Sequence, residues 1–425
     1  MDARITNRSA TSYTIEVEIP YEFNSMLEAE TRIQEQVNTV GVLATGEALK
    51  QFDTDGTPLF VDGIKLTSKG QIPTTYQTPY GDVRIARHIY QSAQGGRGYC
   101  PLEFRARIIT TATPKCAKMV ASKYANTSAG QVQIDLEEHH GRTMSRSHIQ
   151  AICDVVGSIA SVKEESWNYV IPVEASEVAT ISMGVDGTCM LTCADGSRQA
   201  MVGTVSLYDR EGERLHTVYV AARPEYGKAT FFADMEREIA KVIHRYPTAS
   251  RLGLADGAKD NWTFLERFTE AQLIDFYHAS EYIGKVGRAA VSKKARDQWI
   301  ADTCHALKHE AGAAEAIWEE MQGFLARKLS KTNRQTVEAA ITYFTNNRHR
   351  MNYAAHVTQH HPIGSGVTEA ACKVIVKKRL CGAGMRWKEH GASVVLTLRC
   401  LRYSDGRWQQ FWQKIDRYGF TLAEA

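Results

Sequence analysis

The spacing of apolar positions changes character along the chain and divides it into segments of different predicted structure. Residues 1–110 begin with an alternating strand pattern, continue with a helical pattern over 24–52, and end in strand-like stretches. The dipeptides Asp62-Gly63 and Gly81-Asp82 are hairpin signals between such stretches. The pattern therefore predicts an N-terminal α+β region.

Residues 111–170 have the spacing of three helices, with start signals at Thr113, Ser128 and Ser145. The short glycine-containing segment 140–144 is typical of a helix-turn-helix, although an ordinary helical hairpin has the same pattern. In a helix-turn-helix, the first turn of the last helix faces the base edges of DNA. That turn contains the following residues: Arg146, Ser147, His148 and Gln150.

Residues 171–282 change to strand patterns. A strand at 178–186 is followed by two more, separated by the turn Asp209–Gly212. Patterns of helix, strand, short helix and strand follow, at 228–246, 251–255, 262–268 and 272–277. Three antiparallel strands followed by this alternation is the element order of an RNase H-like fold. We therefore predict an α/β class with an RNase H-like (retroviral integrase-like) core.

The remaining segments are predicted to be helical. Residues 283–355 have amphipathic helical spacing throughout and form an all-helical insertion. Residues 356–425 contain Gly364-Ser-Gly-Val-Thr-Glu369, followed by a predicted helix over 370–380 and a basic C-terminal tail. We expect this last segment to complete the core that begins at residue 171.

Composition narrows the class of protein. A chain of 425 residues suggests two to four domains. Its 43% hydrophobic and 23% charged residues are typical of a folded soluble protein. The sequence contains no apolar run of the roughly 20 residues that span a bilayer, and no secretory signal pattern. We therefore expect a cytoplasmic protein without a membrane partner.

Basic residues are concentrated near the C-terminal end. Residues 326–425 contain 17 Lys/Arg and 6 Asp/Glu, whereas the whole chain has a net charge of only +3. Such an asymmetry favours a polyanion such as nucleic acid, although a solvated basic surface has the same composition.

Two acidic residues stand where predicted neighbouring strands meet a glycine. Asp186 lies in Gly-Val-Asp-Gly-Thr and Asp256 in Leu-Ala-Asp-Gly. A carboxylate on a buried strand is costly unless a cation or a partner neutralises it. Glu369 follows two glycines, Gly364 and Gly366, which would let its backbone approach these strands closely. Three converging carboxylates are the ligands that two magnesium ions need to cleave a phosphodiester.

These motifs resemble bacterial insertion-sequence DDE transposases of the ISKra family. The resemblance covers roughly residues 80–405 and includes Gly184–Thr188, Leu254–Gly257, Asp275–His278, Gly364–Cys372 and Gly384–Trp387. It implies that Asp186, Asp256 and Glu369 are the catalytic and metal-binding residues, with two Mg²⁺ or Mn²⁺ ions. It also implies that the helical insertion separates the second aspartate from the glutamate.

The resemblance carries further expectations about binding. The protein would bind double-stranded DNA at transposon ends and target, assemble as a homodimer or higher oligomer, and associate with the bacterial nucleoid. Residues 1–110 would serve DNA-end binding or dimerisation. Beyond the helix-turn-helix residues, the expected DNA contacts are Lys259, Lys373, Lys377, Lys378, Arg379, Arg386 and Trp387.

Two further expectations concern supporting residues and zinc. Asp275-x-x-His278 resembles an element that follows the second catalytic aspartate in Mutator-like and hAT-like transposases, and would support the active site. A capping aspartate with a packed histidine would have the same sequence. Because Gln91-Ser-Ala-Gln94 stands where relatives can carry Cys-x-x-Cys, we expect no zinc. Trp387, Trp408 and Trp412 would either stack on bases or pack in a core.

Two other functions remain open at this point. A transposase-derived protein could bind DNA without chemistry, and an RNase H-like nuclease could cut DNA without joining it. The three carboxylates argue against the first alternative, and only strand-transfer products would exclude the second.

Overall fold

A computed structural model of the chain describes residues 3–9, 11–19, 21–163, 166–222, 227–256 and 258–420. The fold is mixed α/β, which confirms the predicted class. The chain divides into two compact units. The first contains the described residues up to Tyr169, Thr397–Arg402 and those from Arg407 onward, and the second contains Val170–Leu396 and Tyr403–Gly406.

The first unit begins with two antiparallel strands, a long helix and a four-stranded antiparallel sheet. In chain order these are β1 (Arg4–Arg8), β2 (Tyr13–Glu16), α1 (Met26–Lys50), β3 (Leu59–Val61), β4 (Ile64–Gln77), β5 (Asp82–Ser92) and β6 (Gly95–Tyr99). The hairpin predicted at Asp62-Gly63 is confirmed, since Val61 pairs with Ile64. Both turn residues have positive φ, 49° and 79°, as a two-residue turn of this hand requires.

Four helices complete the N-terminal part of the first unit. They are α2 (Pro101–Arg105), α3 (Pro114–Tyr124), α4 (Ala129–His140) and α5 (Arg146–Lys163). Two predicted start signals act as caps, because the Ser128 hydroxyl accepts from the amide of Gln131 and the Ser145 hydroxyl from that of His148, each at 3.2 Å. Thr113 also precedes its helix, with Pro114 as the first helical residue, but its hydroxyl makes no capping hydrogen bond. Helix α4 ends at Gly141 in the left-handed conformation, with φ 58°.

A five-stranded mixed sheet forms the centre of the second unit. Its strands are β7 (Thr180–Thr192), β8 (Gly196–Tyr208), β9 (Arg214–Ala221), β10 (Ser250–Ala255) and β11 (Ala271–Ile274), in the spatial order β11-β10-β7-β8-β9. Strands β7, β8 and β9 are antiparallel, whereas β10 runs parallel to both β7 and β11. Helices α6 (Ala229–Arg245) and α7 (Lys259–Leu265) connect the later strands.

Two predicted strand ends are wrong. The first strand does not end at Asp186 but continues to Thr192, because β8 pairs with it over its whole length. The last strand ends at Ile274 rather than 277, because Asp275 caps a helix that begins at Phe276. Asp186 therefore lies in the middle of a strand, and His278 lies in a helix.

Helices account for the rest of the chain. They are α8 (Phe276–Ala290), α9 (Arg296–His309), α10 (Ala313–Phe324), α11 (Lys331–Asn347), a 3₁₀ turn (Arg348–Arg350) and α12 (Tyr353–Thr358). A continuous helical stretch follows, with α13 (Gly366–Ala371), a π-helical segment (Cys372–Lys377) and α14 (Lys378–Leu380). The chain then forms α15 (Glu389–Tyr403) and α16 (Arg407–Tyr418). Residues 283–355 contain no strand, as predicted.

One hydrophobic core joins the sheet of the second unit to the inserted helices. Buried side chains from β7, β10 and α6 share this core with Met321 of α10 and Phe344 of α11, both fully buried. The insertion therefore packs on the same core as the sheet. The C-terminal helix α16 belongs to the first unit, whereas the sequence predicted it as part of the second half of the core.

No helix in the described ranges combines the length and apolar character that a membrane crossing would need.

Candidate active site: carboxylates beside a lysine-lined cleft

Asp186 lies on β7 with its carboxylate half-buried. Its Oδ1 accepts from the amide of Gly187 at 2.6 Å, and its Oδ2 accepts from the thiol of Cys372 at 3.4 Å. Burial raises the pKa of Asp186, and the negative charges of Asp256 and Glu369 raise it further, while the two hydrogen bonds lower it. Asp186 therefore lies within electrostatic range of both other predicted carboxylates.

The pairing of β10 with β7 brings Asp256 near Asp186. The parallel ladder pairs Ser250 with Thr180 and continues to Leu254 opposite Gly184. Asp186 lies two residues beyond Gly184 on β7, and Asp256 is the first residue after the end of β10. The prediction that these strands are neighbours is confirmed. Asp256 is exposed, and Gly257 lies outside the described residues.

Glu369 is held against the sheet by a very close contact of its helix. A Cβ atom added to Gly184 would lie 2.0 Å from the Thr368 hydroxyl oxygen, so only glycine leaves room for α13 at this point of β7. The Thr368 hydroxyl is also hydrogen-bonded to that of Thr204 at 2.8 Å, in a buried environment. The helix thus packs directly over β7 and β8.

This geometry corrects two predictions about the Glu369 segment. The helix begins at Gly366 rather than at 370, so Glu369 lies in its first turn. The tightest approach of this helix to the sheet is at Gly184. Of the two predicted glycines, Gly364 does lie close to its neighbours, since a Cβ there would be 3.1 Å from the Tyr277 ring and 3.4 Å from the Asp275 carboxylate, whereas a Cβ at Gly366 would meet nothing within 4 Å.

Asp275 fixes the loop that precedes Glu369. It is fully buried and caps α8, with Oδ1 accepting from the amide of His278 at 2.8 Å. Its Oδ2 accepts from the amide of Ser365. The Ser365 hydroxyl in turn donates to Oε1 of Glu369 at 2.8 Å. Asp275 is therefore both a helix cap and the anchor of the loop that positions Glu369.

A second possible ligand group shares Glu369. In the described part of the chain, one group of three potential ligands has all its ligand atoms within 4.8 Å of one another, namely Asp275, His278 and Glu369. The ligand atoms of the predicted set, Asp186, Asp256 and Glu369, do not all lie within this distance of one another. The buried Nδ1 of His278 has no hydrogen-bond partner, whereas both carboxylate oxygens of Asp275 already accept backbone amides. Asp275 is consequently a poorer metal ligand than His278.

An open cleft of about 550 Å³ lies between Asp186 and Glu369. Gly187, Thr188 and Cys372 line it together with three lysines of the Glu369 helix. These are Lys373, Lys377 and Lys378, all exposed. They place positive charge beside the carboxylates, where a polyanion would enter. The π-helical segment lies at this cleft, and π-helical turns are often found at functional sites.

Arg379 and Trp387 occupy structural positions. Arg379 is only 4% exposed, and its guanidinium lies over the Trp387 ring at 5.0 Å. The Trp387 indole donates to the carbonyl of Leu380 at 3.0 Å, and its backbone pairs with the end of β7. The burial of Arg379 argues against the predicted direct contact of this residue with DNA. Lys259 and Arg386 are exposed and stay open to such a contact.

The residues predicted to read bases divide into two pairs. Arg146 and Ser147 are exposed at the start of α5. His148 is half-buried and its Nε2 lies 3.0 Å from the Thr111 hydroxyl, while Gln150 accepts from the Tyr124 hydroxyl at 2.7 Å. His148 and Gln150 therefore make hydrogen bonds within the first unit.

Two of the three tryptophans considered for base stacking pack in a core. Trp408 and Trp412 are 5% and 6% exposed and surround Phe411 on α16, where Trp167 joins them. Their rings are therefore not available to nucleic-acid bases.

The sequence interpretation missed the thiol of Cys372 and the hydroxyls of Ser365 and Thr368. One local signal for Cys372 was present, because it lies three residues after Glu369 and therefore on the same helix face. The hydroxyl contacts join distant parts of the chain and leave no local signal. In comparisons with known proteins, no family model matches the chain, and no curated protein matches it significantly.

Proposed function

We propose that this protein is a DDE transposase that binds the terminal inverted repeats of an insertion sequence and catalyses DNA strand cleavage and strand transfer. The observation that carries the proposal is the meeting of three carboxylates from distant parts of the chain. Asp186 lies on β7, Asp256 directly follows the neighbouring parallel strand β10, and Glu369 enters on a helix packed over β7. The negative charges of Asp256 and Glu369 both act on Asp186, where they raise its pKa.

The arrangement of the second unit supports an RNase H-like core. Three antiparallel strands are followed by two parallel strands on the far side of β7, and the inserted helices separate Asp256 from Glu369. The three helices α3, α4 and α5 support a helix-turn-helix, of which Arg146 and Ser147 remain exposed for DNA. Assembly as a dimer or higher oligomer belongs to the same proposal, since two DNA ends must be processed together.

The donor set fits divalent magnesium or manganese. Its ligands are carboxylate oxygens, the hard donors that these ions prefer. Burial and the neighbouring negative charges raise the pKa of Asp186, so a cation at this point would relieve an existing electrostatic cost. Asp186, Asp256 and Glu369 are the residues that would hold these ions. Such ions, when bound, activate the attacking oxygen and stabilise charge on the leaving oxygen.

The protein's own residues provide positioning around this centre. Gly187 and Cys372 orient Asp186, while Ser365 and Asp275 hold the loop of Glu369. The three cleft lysines would attract the DNA backbone and hold the scissile phosphate beside the carboxylates. Water and then a DNA 3′-hydroxyl would be the successive nucleophiles.

The proposal is tested with Asp186→Asn, Asp256→Asn and Glu369→Gln. Each should abolish magnesium-dependent cleavage and joining of transposon-end DNA while leaving DNA affinity and thermal stability near the wild-type values. Asp260→Asn is a matched control, because Asp260 is an exposed carboxylate four residues beyond Asp256 and outside the cleft. It should retain full activity.

The same assay separates the alternative functions. DNA binding without cleavage by the wild-type protein would indicate a transposase-derived binding protein. Cleavage without strand-transfer products would indicate a nuclease. Normal activity in any of the three carboxylate variants would remove that residue from the catalytic set.

A further inference from the structure

Cys372 makes a contact that no sequence motif assigned. It is the first residue of the π-helical segment, three positions after Glu369, and is 4% exposed. Its thiol donates to Oδ2 of Asp186 at 3.4 Å. Through this thiol, the helical stretch that contains Glu369 contacts the Asp186 carboxylate directly.

The two donors to Asp186 act on different oxygens and come from different elements. Gly187, on the same strand, donates to Oδ1, and Cys372, on the helix, donates to Oδ2. One donor on each oxygen fixes the plane of the carboxylate. Because each carboxylate oxygen has two acceptor sites, both oxygens keep one site for a cation.

The thiol contact also links the positions of two proposed ligands. Asp186 is on β7, whereas Glu369 and Cys372 share one helical stretch that packs over β7 through Thr368. A rotation of the Asp186 carboxylate would break the Cys372 hydrogen bond. The relative orientation of Asp186 and Glu369 is therefore maintained by a hydrogen bond between their own elements.

We propose that Cys372 is a positioning residue of the metal centre, whose thiol holds the Asp186 carboxylate in the orientation that binds a divalent cation together with Glu369. The proposal rests on the proposed function, because it concerns the ligands of that centre. Groups that orient metal ligands commonly change metal affinity by about 10–100-fold when removed.

The test measures Mn²⁺ affinity directly, without DNA, from the electron paramagnetic resonance signal of free Mn²⁺ in titrations of the full-length protein. Cys372→Ala should weaken binding about tenfold or more. Cys372→Ser should bind more tightly than the alanine variant, because its hydroxyl can still donate. Serine and alanine are nearly equal in size, so any loss of packing is shared by both variants and the difference between them reports the donor.

Cys304→Ala is the matched control, since Cys304 is a partly buried thiol of the same unit on α9, away from the cleft. It should bind Mn²⁺ as the wild-type protein does. Circular dichroism melting of every variant shows that the comparison is made between folded proteins.

Each outcome distinguishes the inference from the proposed function. If Asp186→Asn loses Mn²⁺ but Cys372→Ala keeps wild-type affinity, the positioning role is refuted and the metal centre stands. Equal losses in Cys372→Ala and Cys372→Ser would assign Cys372 to packing and also refute the positioning role. If Asp186→Asn binds Mn²⁺ as the wild-type protein does, the proposed metal centre fails and the inference fails with it.

Discussion

Replacing Gly184 with alanine should displace the helix that carries Glu369. The added Cβ would lie 2.0 Å from the Thr368 hydroxyl oxygen and 3.0 Å from that of Thr204. Restoring an ordinary contact of 3.4 Å to Thr368 requires a movement of about 1.4 Å, in an interior whose close packing leaves little room for it. The two hydroxyls are hydrogen-bonded to each other and buried, so neither can turn away without losing its partner.

The expected cost follows from this displacement. Overpacking of a well-packed interior typically destabilises by about 1–3 kcal/mol, and each kcal/mol lowers the melting temperature by about 2–4 °C in a unit of this size. Misplacing a catalytic group by about 1 Å costs roughly 10²-fold in rate. Gly184→Ala should therefore melt several degrees lower and cleave transposon-end DNA about 10²-fold more slowly.

Two further variants make the experiment specific. Gly366→Ala, on the same helix, adds a methyl group where nothing lies within 4 Å, so it should keep full activity and gain about 0.5–1 kcal/mol of stability. Thr368→Ala in the Gly184→Ala background removes the clashing oxygen and should recover part of the lost activity. Wild-type melting and cleavage in Gly184→Ala, or purely additive losses in the double variant, would refute the reasoning.

Three other predictions concern charge and hydrogen bonding. Lys373→Ala and Lys377→Ala should weaken DNA binding and each reduce the slope of log affinity against log salt by about 1, whereas Arg379→Ala should lower the melting temperature without changing that slope, because Arg379 is buried. A wild-type salt slope in both lysine variants would contradict the first part. Asp186→Asn should be at least as stable as the wild-type protein at neutral pH, because the folded state raises the pKa of Asp186 and so opposes its ionisation. The folded wild-type protein binds the proton of the Asp186 carboxyl group more tightly than the unfolded chain does, so its stability decreases as the pH rises above 3.8, the pKa of this group in the unfolded chain. In melting experiments, the stability advantage of Asp186→Asn should therefore disappear as the pH falls towards 3.8. Asp275→Ala should lower the free energy of unfolding in urea by about 1–2 kcal/mol, because it removes a helix cap and leaves buried amides without acceptors, and an unchanged midpoint would exclude the anchoring role.

The sequence was informative wherever one short segment decides its own conformation. The Asp-Gly turn at 62–63 needs positive φ at two successive positions, and Ser128 and Ser145 each cap a helix within three residues. The alternation of apolar residues in 171–282 likewise predicted which segments become strands and which become helices. These features depend on neighbours in the chain, so local patterns contain them.

Predictions failed where a distant segment decides the outcome. Gly187 reads as the end of a strand, but pairing with β8 carries β7 on to Thr192. Arg379 follows two exposed lysines, yet it is buried beneath Trp387 because the loop after α14 folds back onto the end of β7. The local sequence around Gly187 and around Arg379 contains no signal of the distant segments that pair with them or cover them.

The sequence by itself determined the mixed α/β class and the order of strands and helices, and it predicted three acidic residues as ligands of a cation. Only the tertiary structure decided that β10, which Asp256 follows, lies beside the strand of Asp186, that Gly184 admits the helix of Glu369, and that Cys372 reaches the Asp186 carboxylate. The physical reason is that strand register and helix packing are set by hydrogen bonds and close contacts between segments far apart in the chain. The pattern of one segment does not specify which distant residues that segment contacts.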